Sequence, residues 1–407
     1  MKKHYMGLDV LRGLGIFGVL ILHTAFYYFD GIYDLDLNEP PLIITLIGFV
    51  LMFAGLFAMI SGFVHTLQFY RKYKENGKTL KSLLKYSSFA GLYILLIAYV
   101  YFLFTGPGLI HFETRSMDQS LFVELIKTGR FIWPSIDRIL YIDSLVMIGL
   151  NVILLGLLVA LGLKVIKSDQ KRSLYFFILA VAVLALSTVR IPLYTSYLDA
   201  RDNGQYGLVL VMNFFINKNN PILPFLSFGL FGSWIATLVI ENNKKKTKRL
   251  VLSSGILFFV MGLAIYLTAE ETMLDRLIDY TWYGIMVFQI GLFQLLIYLF
   301  LWIYDRKETS KLNVVSKFLY RFGVAGLTVF FIEQLFSAAL KQIMMLFDRT
   351  LYLGLYASVI CGVVIAIFWG FMLMLWQKAH YKYGIEYGYV TLMKHFGGSQ
   401  KEDKLKA

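Results

Sequence analysis

The chain of 407 residues is poor in cysteine and in charge. Cys361 is its single cysteine. This excludes an intrachain disulfide, and the apolar setting of Cys361 argues against a cysteine nucleophile. Charged residues make up 16% of the chain and hydrophobic residues 58%, whereas soluble domains average about 25% charged residues. The six histidines have no metal-ligand spacing, so we expect no metal site.

The charges that are present are mostly positive, with a formal net charge of +13. In a soluble protein this excess would suggest a nucleic-acid partner. Here the long apolar runs and a mean hydropathy of +0.65 predict an all-α polytopic membrane protein. Basic cytoplasmic loops and anionic headgroups of the bilayer then explain the charge. We expect no nucleic acid, and a basic pocket for an anionic substrate remains open.

Apolar runs predict about ten transmembrane helices, because a lone segment in lipid must satisfy its own backbone. They form one predicted transmembrane domain over residues 1–377, followed by a basic and aromatic cytoplasmic tail over 378–407. The predicted spans are 7–29, 42–69, 87–106, 139–163, 174–192, 221–240, 250–268, 282–304, 322–346 and 351–377.

Loop charges orient these spans. The connections 71–85, 164–172, 241–249 and 305–321 together hold 20 Lys and Arg against 5 Asp and Glu, whereas the intervening connections hold 10 against 15. The basic set is therefore predicted to be cytoplasmic, with both termini. The N-terminus imitates a signal peptide, but its apolar run is too long and lacks a cleavage site, so we expect a retained first span. The predicted location is a prokaryotic cell membrane.

Two exterior segments are unusually long. The segment 107–138 contains an amphipathic stretch, SLFVELIKTGRF, which predicts a helix lying on the membrane surface. The segment 193–220 mixes polar and aromatic residues, which suits a lid or a re-entrant element.

The first span, Gly7–Phe29, carries Asp9, Arg12 and His23. Ionisable residues in a hydrocarbon span are costly and suggest function. Arg12 and His23 lie eleven residues apart, so they project from one face about 16 Å apart, and Asp9 can reach Arg12. A histidine can act as a general base, and an arginine can hold a phosphate or carboxylate. The alternative is structural, with these side chains locking the helix bundle.

Further polar residues are candidates for the site. Glu333 falls near the middle of span nine, where a carboxylate needs a partner or a wet cavity, and we predict a catalytic role for it. Arg321 could contact phosphates, or could serve only topology. Aromatic rings with nearby carboxylates suit sugar binding, although interfacial aromatic belts are commoner. The candidate substrate-binding residues are Trp133, Asp137, Arg138, Asp143 and Trp282.

Two motifs carry a resemblance to a known family. The stretch GLDVLRGLG over 7–15, followed by His23, resembles the opening of acyltransferase family 3 proteins, which share an arginine, ten residues and then a histidine. Ser61-Gly62-Phe63 looks like the same family's Ser-Gly-Phe stretch. The YeiB-like membrane proteins and heparan-α-glucosaminide N-acetyltransferase also begin with an Asp-x-x-Arg-Gly span. Three later segments resemble the YeiB-like branch, namely PILPFLSFG (221–229), RFGVAGLT (321–328) and KYGIEY (382–387).

The resemblance implies transfer of an acyl group, usually acetyl, from cytoplasmic acetyl-CoA to a sugar or polysaccharide on the far side. It assigns His23 to deprotonation of the acceptor. It assigns Arg12 to the CoA arm or its phosphates. The further candidates for donor binding are Asp9, Arg321 and Ser61. YeiB-like proteins usually have asparagine where this chain has His23. The expected partners are an acyl-CoA, a glycan acceptor and the bilayer, and a homodimer is left open. The alternatives are a transporter of a small anion or lipid-linked sugar, and a scaffold or sensor.

Overall fold

The computed structural model describes residues 4–36, 39–51, 53–112, 114–217, 219–268, 278–306 and 312–395. Helices dominate these ranges. The first eight are α1 (Met6–Tyr28), α2 (Leu42–Leu51), α3 (Ala54–Lys74), α4 (Leu80–Val100), α5 (Leu121–Thr128), α6 (Ile136–Ile139), α7 (Ser144–Val165) and α8 (Asp169–Ser187). The others are α9 (Arg190–Asp202), α10 (Tyr206–Ile216), α11 (Ile222–Ile240), α12 (Lys244–Leu267), α13 (Tyr280–Asp305), α14 (Val314–Val324), α15 (Gly326–Phe347), α16 (Leu355–Lys378) and α17 (Ile385–His395).

The all-α, multi-pass architecture predicted from the sequence is confirmed. Among the described residues, nine helices are long and apolar enough to cross a membrane. Each corresponds to one of the ten predicted spans. They are α1, α4 with the turn of π-helix Tyr101–Thr105 that continues it, α6 with α7, α8, α11, α12, α13, α15 and α16.

The one remaining predicted span, 42–69, which is the second in chain order, is wrong as a single helix. The structure divides it into α2, ending at Leu51, and α3, beginning at Ala54. The predicted run has 28 residues, whereas about 20 suffice to cross the hydrocarbon core, so apolar character alone did not require one continuous helix. Gly48 and Gly55 flank the break, and glycine lowers helix propensity.

A second difference concerns the predicted span 322–346. The helix that could cross the membrane begins at Gly326, and residues 322–324 belong to the preceding helix α14. Ala325 separates the two with φ −107° and ψ 24°. Gly323 and Gly326 flank this break, and residues of the candidate site lie on both sides of it.

The two long segments predicted to be exterior contain helices. The amphipathic stretch forms α5, which ends where Gly129 takes the left-handed conformation with φ +70°. Before it, β1 (Leu109–His111) pairs antiparallel with β2 (Ser116–Asp118), and Ile110 lies opposite Met117. The segment 193–220 lies mostly in α9 and α10. With 11 residues, α10 is too short to span a bilayer.

The chain forms two compact units, each built from discontinuous segments. The first comprises 1–8, 52–96 and 142–310, and the second comprises 9–51, 97–141 and 311–407. In the first unit, α11 is buried and packs against α3, α7 and α8, while α12 packs along α13. In the second unit, α15 packs against α5, α17 and the π-helical turn, and α14 packs against α16.

Candidate active site

In the second unit, α1 runs parallel to α14 and α15, and their contacts recur at a nearly constant sequence offset. The contacting residues are 309 to 311 positions apart at every step. Parallel helices in fixed register give such an offset, because successive turns of one meet successive turns of the other. In order, the pairs are Arg12 with Gly323, His23 with Glu333, Tyr28 with Ser337, and Asp30, just after α1, with Lys341.

Glycines allow α1 and α14 to approach closely at the Arg12 end. A Cβ atom at Gly323 would overlap the carbonyl oxygen of Asp9, and one at Gly13 would overlap that of Leu319. Small residues of this kind let transmembrane helices pack backbone against backbone. The close approach also brings the Gly323 carbonyl within reach of the Arg12 side chain.

Arg12 is held by two contacts that the sequence only partly predicted. Its Nε donates to the Gly323 carbonyl oxygen at 2.8 Å, and its Nη2 donates to Asp9 Oδ1 at 2.7 Å. The ion pair with Asp9 is the expected contact across one helical turn. The Asp9 side chain is 4% exposed, whereas that of Arg12 is 32% exposed. Arg12 is therefore a fixed cation with an accessible surface.

Tyr320 of α14 lies in the electrostatic field of this pair. Burial raises the pKa of the Tyr320 hydroxyl to about 12, with Asp9 adding to the rise and Arg12 opposing it. The phenol therefore stays protonated to a higher pH than that of an ordinary tyrosine and adds no negative charge near Arg12. The sequence reasoning did not identify Tyr320 as a site residue.

Eleven residues further along α1, His23 faces a buried carboxylate. His23 Nδ1 lies 2.5 Å from Glu333 Oε1. The Glu333 side chain is 1% exposed and that of His23 is 17% exposed. The Phe330 ring packs edge-on against the imidazole with 5.9 Å between ring centroids. The structure thus brings together the two side chains predicted to be catalytic.

With Glu333 ionised, this pairing would assign one tautomer and one role to the imidazole. A carboxylate accepts a hydrogen bond from Nδ1–H, which places the basic lone pair of a neutral imidazole on Nε2. A carboxylate behind a histidine also stabilises the imidazolium that forms when Nε2 takes a proton. The pair therefore has the properties of a general base and its orienting group.

The other predicted donor-binding residues occupy different positions. Arg321 lies in the last turn of α14, and its Nε donates to Gln377 Oε1 of α16 at 2.8 Å. It is in the same unit as Arg12. Ser61 lies in α3 and belongs to the other compact unit.

Three predicted substrate-binding residues lie in the second unit before α7. Trp133 is 75% exposed and packs edge-on against Phe131. Asp137 lies in the first turn of α6. Arg138 is 1% exposed, and its Nη atoms donate to the carbonyl oxygens of Phe102, Pro107 and Asp118 at 2.6, 2.8 and 2.5 Å. These contacts favour a structural role for Arg138.

We expect Arg138→Met to lower stability rather than substrate affinity. The substitution leaves three carbonyl groups without their donor, and each such loss costs about 1–3 kcal/mol when the group is buried. Thermal unfolding in detergent should show a lower midpoint than for Arg130→Met, a change at an exposed arginine. An unchanged midpoint with a raised KM would instead support the predicted role in substrate binding.

The two remaining substrate-binding candidates belong to the first unit. Asp143 caps α7, where its carboxylate accepts from the Leu145 amide at 3.2 Å. Trp282 is 8% exposed, and the guanidinium of Arg190 lies 4.7 Å from the centroid of its ring. Arg190 is fully buried and donates to the carbonyl oxygens of Ile216 and Asn217. The sequence reasoning missed this buried arginine.

A carboxylate of the tail was also missed. Glu386 of α17 accepts hydrogen bonds from Leu327 and Thr328 at the start of α15. Its partners lie 58 and 59 residues away, so no local spacing could reveal them. One signal was present, since Glu386 is the single acidic residue between 378 and 395.

These features define a multi-pass helical membrane protein whose first helix presents an accessible arginine and a histidine that pairs with a buried glutamate of α15. The family model of an acyltransferase domain matches residues 5–383, and the chain belongs to acyltransferase family 3. The resemblance seen in the first span is thereby confirmed, and the protein is a membrane acyltransferase. The comparison with curated proteins gave no match.

Proposed function

We propose that the protein transfers an acetyl group from acetyl-CoA to a hydroxyl or amine of a sugar or glycan. In this proposal acetyl-CoA enters from the cytoplasm, and the acceptor lies on the extracytoplasmic side of a prokaryotic cell membrane. The observation that carries the proposal is the 2.5 Å contact between His23 Nδ1 and Glu333 Oε1, in a chain that belongs to an acyltransferase family.

The geometry supports a direct proton-transfer role for His23. Its Nε2 would take the proton of the acceptor O–H or N–H as that atom attacks the thioester carbonyl carbon. The C–S bond then breaks, and the imidazolium returns the proton to the departing CoA thiolate. Glu333 would hold the ring and balance its transient charge. A transient acyl-histidine is the alternative route, in which Nε2 itself attacks the thioester.

Arg12 suits the donor end of this path. It lies eleven residues before His23 on the same helix, about 16 Å along the axis, a separation comparable to an extended phosphopantetheine arm. Its side chain is 32% exposed, and a guanidinium matches the geometry of a phosphate group. The predicted orientation of α1 places it toward the cytoplasm, where CoA is found. Phosphates of CoA are the anions that we assign to it.

The donor assignment is tested by CoA binding to purified protein in detergent. We expect acetyl-CoA to stabilise the wild type against thermal unfolding. Arg12→Gln should weaken its affinity about 10- to 150-fold, since a charge-assisted hydrogen bond contributes about 1.5–3 kcal/mol. Arg249→Gln, at an exposed arginine of the first unit, is the matched control and should bind like the wild type. Stabilisation by a sugar or lipid but not by CoA would favour transport instead.

Catalysis is tested by release of the CoA thiol from acetyl-CoA by the purified protein supplied with candidate glycans. Wild-type protein should release CoA and acetylate the glycan, as mass spectrometry of the product would show. Acyl-CoAs of increasing chain length would define the donor. No turnover with any donor or acceptor, in protein that binds CoA, would contradict the proposal.

A further inference from the structure

Helix α15 begins without a capping side chain from its own N-terminal flank. The residue before it, Ala325, carries only a methyl group. The first N–H groups of a helix have no partner within the helix, and acceptors must come from elsewhere. The same helix carries Glu333, so the way its first turn is held bears on the active site.

Glu386 supplies the missing acceptors from the far end of the chain. Its Oε1 accepts from the Leu327 amide at 2.5 Å and from the Thr328 amide at 3.3 Å. Its Oε2 accepts from Thr328 Oγ1 at 2.6 Å, and Thr328 Oγ1 accepts in turn from the Ile385 amide at 2.8 Å. The first turns of α15 and α17 thus donate hydrogen bonds to each other, and both carboxylate oxygens of Glu386 accept at least one.

The turn before α17 has an unusual backbone conformation that places Glu386 at this position. Three non-glycine residues in the turn before α17 have positive φ, namely His380 at +54°, Tyr381 at +50° and Tyr383 at +68°. Such conformations are unfavourable for L-residues and persist where the surroundings determine them. A Cβ atom at Gly384 would lie 2.9 Å from Thr328 Oγ1 and 2.9 Å from the Trp376 ring. The turn therefore packs tightly against the start of α15.

Net stability does not explain why a carboxylate stands here. Burial raises the pKa of Glu386 above its ordinary value of 4.5, and hydrogen bonds from Thr328 and Leu327 oppose the rise. A carboxyl with a raised folded pKa stabilises the fold below its unfolded pKa, and this contribution is lost as pH rises through the folded pKa. At higher pH the charge on this half-buried side chain lowers stability, and a neutral glutamine would remove that cost.

We propose that Glu386 is a positioning residue for the transfer reaction. By holding Leu327 and Thr328, it fixes the first turn of α15, and so the height and rotation at which Glu333 meets His23. Thr328 and Glu333 are five residues apart, about 7.5 Å along one rigid helix. The inference rests on the proposed function, because it acts through the His23–Glu333 pair. Glu386 lies beyond residue 383, where the family match ends.

The test is a double-mutant cycle on kcat and KM for acetyl-CoA. Glu386→Ala should lower kcat about 10-fold with KM nearly unchanged. In a Glu333→Gln background the same substitution should lower kcat less than 3-fold, because residues that act as one unit are not additive. Glu386→Gln keeps one acceptor oxygen and should recover most of the activity. Its stability at neutral and higher pH should equal or exceed that of the wild type.

Two comparisons make the result specific. Glu241→Gln neutralises a buried carboxylate paired with Lys246 in the first unit. This substitution should leave kcat unchanged in both the wild-type and the Glu333→Gln backgrounds. Should Glu386→Ala fail to fold, Thr328→Val, which removes only the hydroxyl, takes its place in the cycle. Hydrogen exchange should show faster exchange at the amides of Leu327 and Thr328 in either variant.

Distinct results would overturn the inference. An equal loss of kcat in both backgrounds would show that Glu386 acts independently of Glu333, and unchanged exchange at Leu327 and Thr328 would show that it does not hold α15. Full activity of Glu386→Ala would reject it as well. The proposed function fails separately, if Glu333→Gln alone keeps wild-type activity or if the wild type does not consume acetyl-CoA.

Discussion

His23→Asn should lower acyl transfer by about 10²–10⁴-fold, the usual contribution of general acid–base catalysis, while the protein stays folded. The Nδ2 of asparagine lies as far from its backbone as Nδ1 of histidine does, so it can still donate to Glu333. What asparagine lacks is the second ring nitrogen, which would accept the proton. The measurement is kcat for acetyl-CoA-dependent acylation, with thermal unfolding recorded on the same preparations.

The matched control is His380→Asn. His380 is exposed and has φ +54°, a conformation that asparagine tolerates well. We expect this variant to keep wild-type activity. If His23→Asn keeps more than a tenth of wild-type kcat, the base is another group, and His23 only joins α1 to α15. If His23→Asn unfolds while His380→Asn does not, the contact with Glu333 is primarily structural.

Gly323→Ala should destabilise the protein and reduce activity together. The added methyl group would overlap the Asp9 carbonyl oxygen, and the backbone atoms around it cannot yield as a flexible side chain can. Overpacking of this kind costs about 1–3 kcal/mol. As α1 and α14 separate, Arg12 Nε also loses the Gly323 carbonyl that holds it. Both the thermal midpoint and the affinity for acetyl-CoA should fall.

Gly354→Ala is the control for this experiment. An added Cβ there has no heavy atom within 4 Å, and Gly354 has an ordinary φ of −67°. We expect its thermal midpoint and its acetyl-CoA affinity to match the wild type. A Gly323→Ala protein as stable as Gly354→Ala would mean that α1 and α14 are not packed as closely as the structure indicates.

Local patterns in the sequence predicted the parts of the site that lie on one helix. The three-residue spacing of Asp9 and Arg12 predicted their contact, and the eleven-residue spacing placed Arg12 and His23 on one face of α1. Glu333 was identified by a different argument, because a carboxylate within an apolar span needs a partner. The sequence did not identify that partner, since 310 residues separate Glu333 from His23.

Features that depend on tertiary contacts were beyond the same reasoning. The Gly323 carbonyl is a backbone acceptor, so no residue type marks it. Glu386 stands in a basic tail whose sequence gives no indication of helix capping. Ser61 was assigned to donor binding from a short motif, and the structure places it in a different unit from Arg12. The break between α2 and α3 was hidden because apolar residues continue directly on both sides of it.

The offset of about 310 residues between α1 and its partners has a consequence for biogenesis. A ribosome that has just made α1 must synthesise some 300 more residues before Gly323 and Glu333 exist. During that interval Arg12 and His23 lack the partners that these residues supply. The Asp9–Arg12 ion pair lies within one turn of α1, so each charge can be neutralised by the other before the rest of the chain is synthesised. The candidate site is complete only once Glu333, in the last quarter of the chain, has been translated.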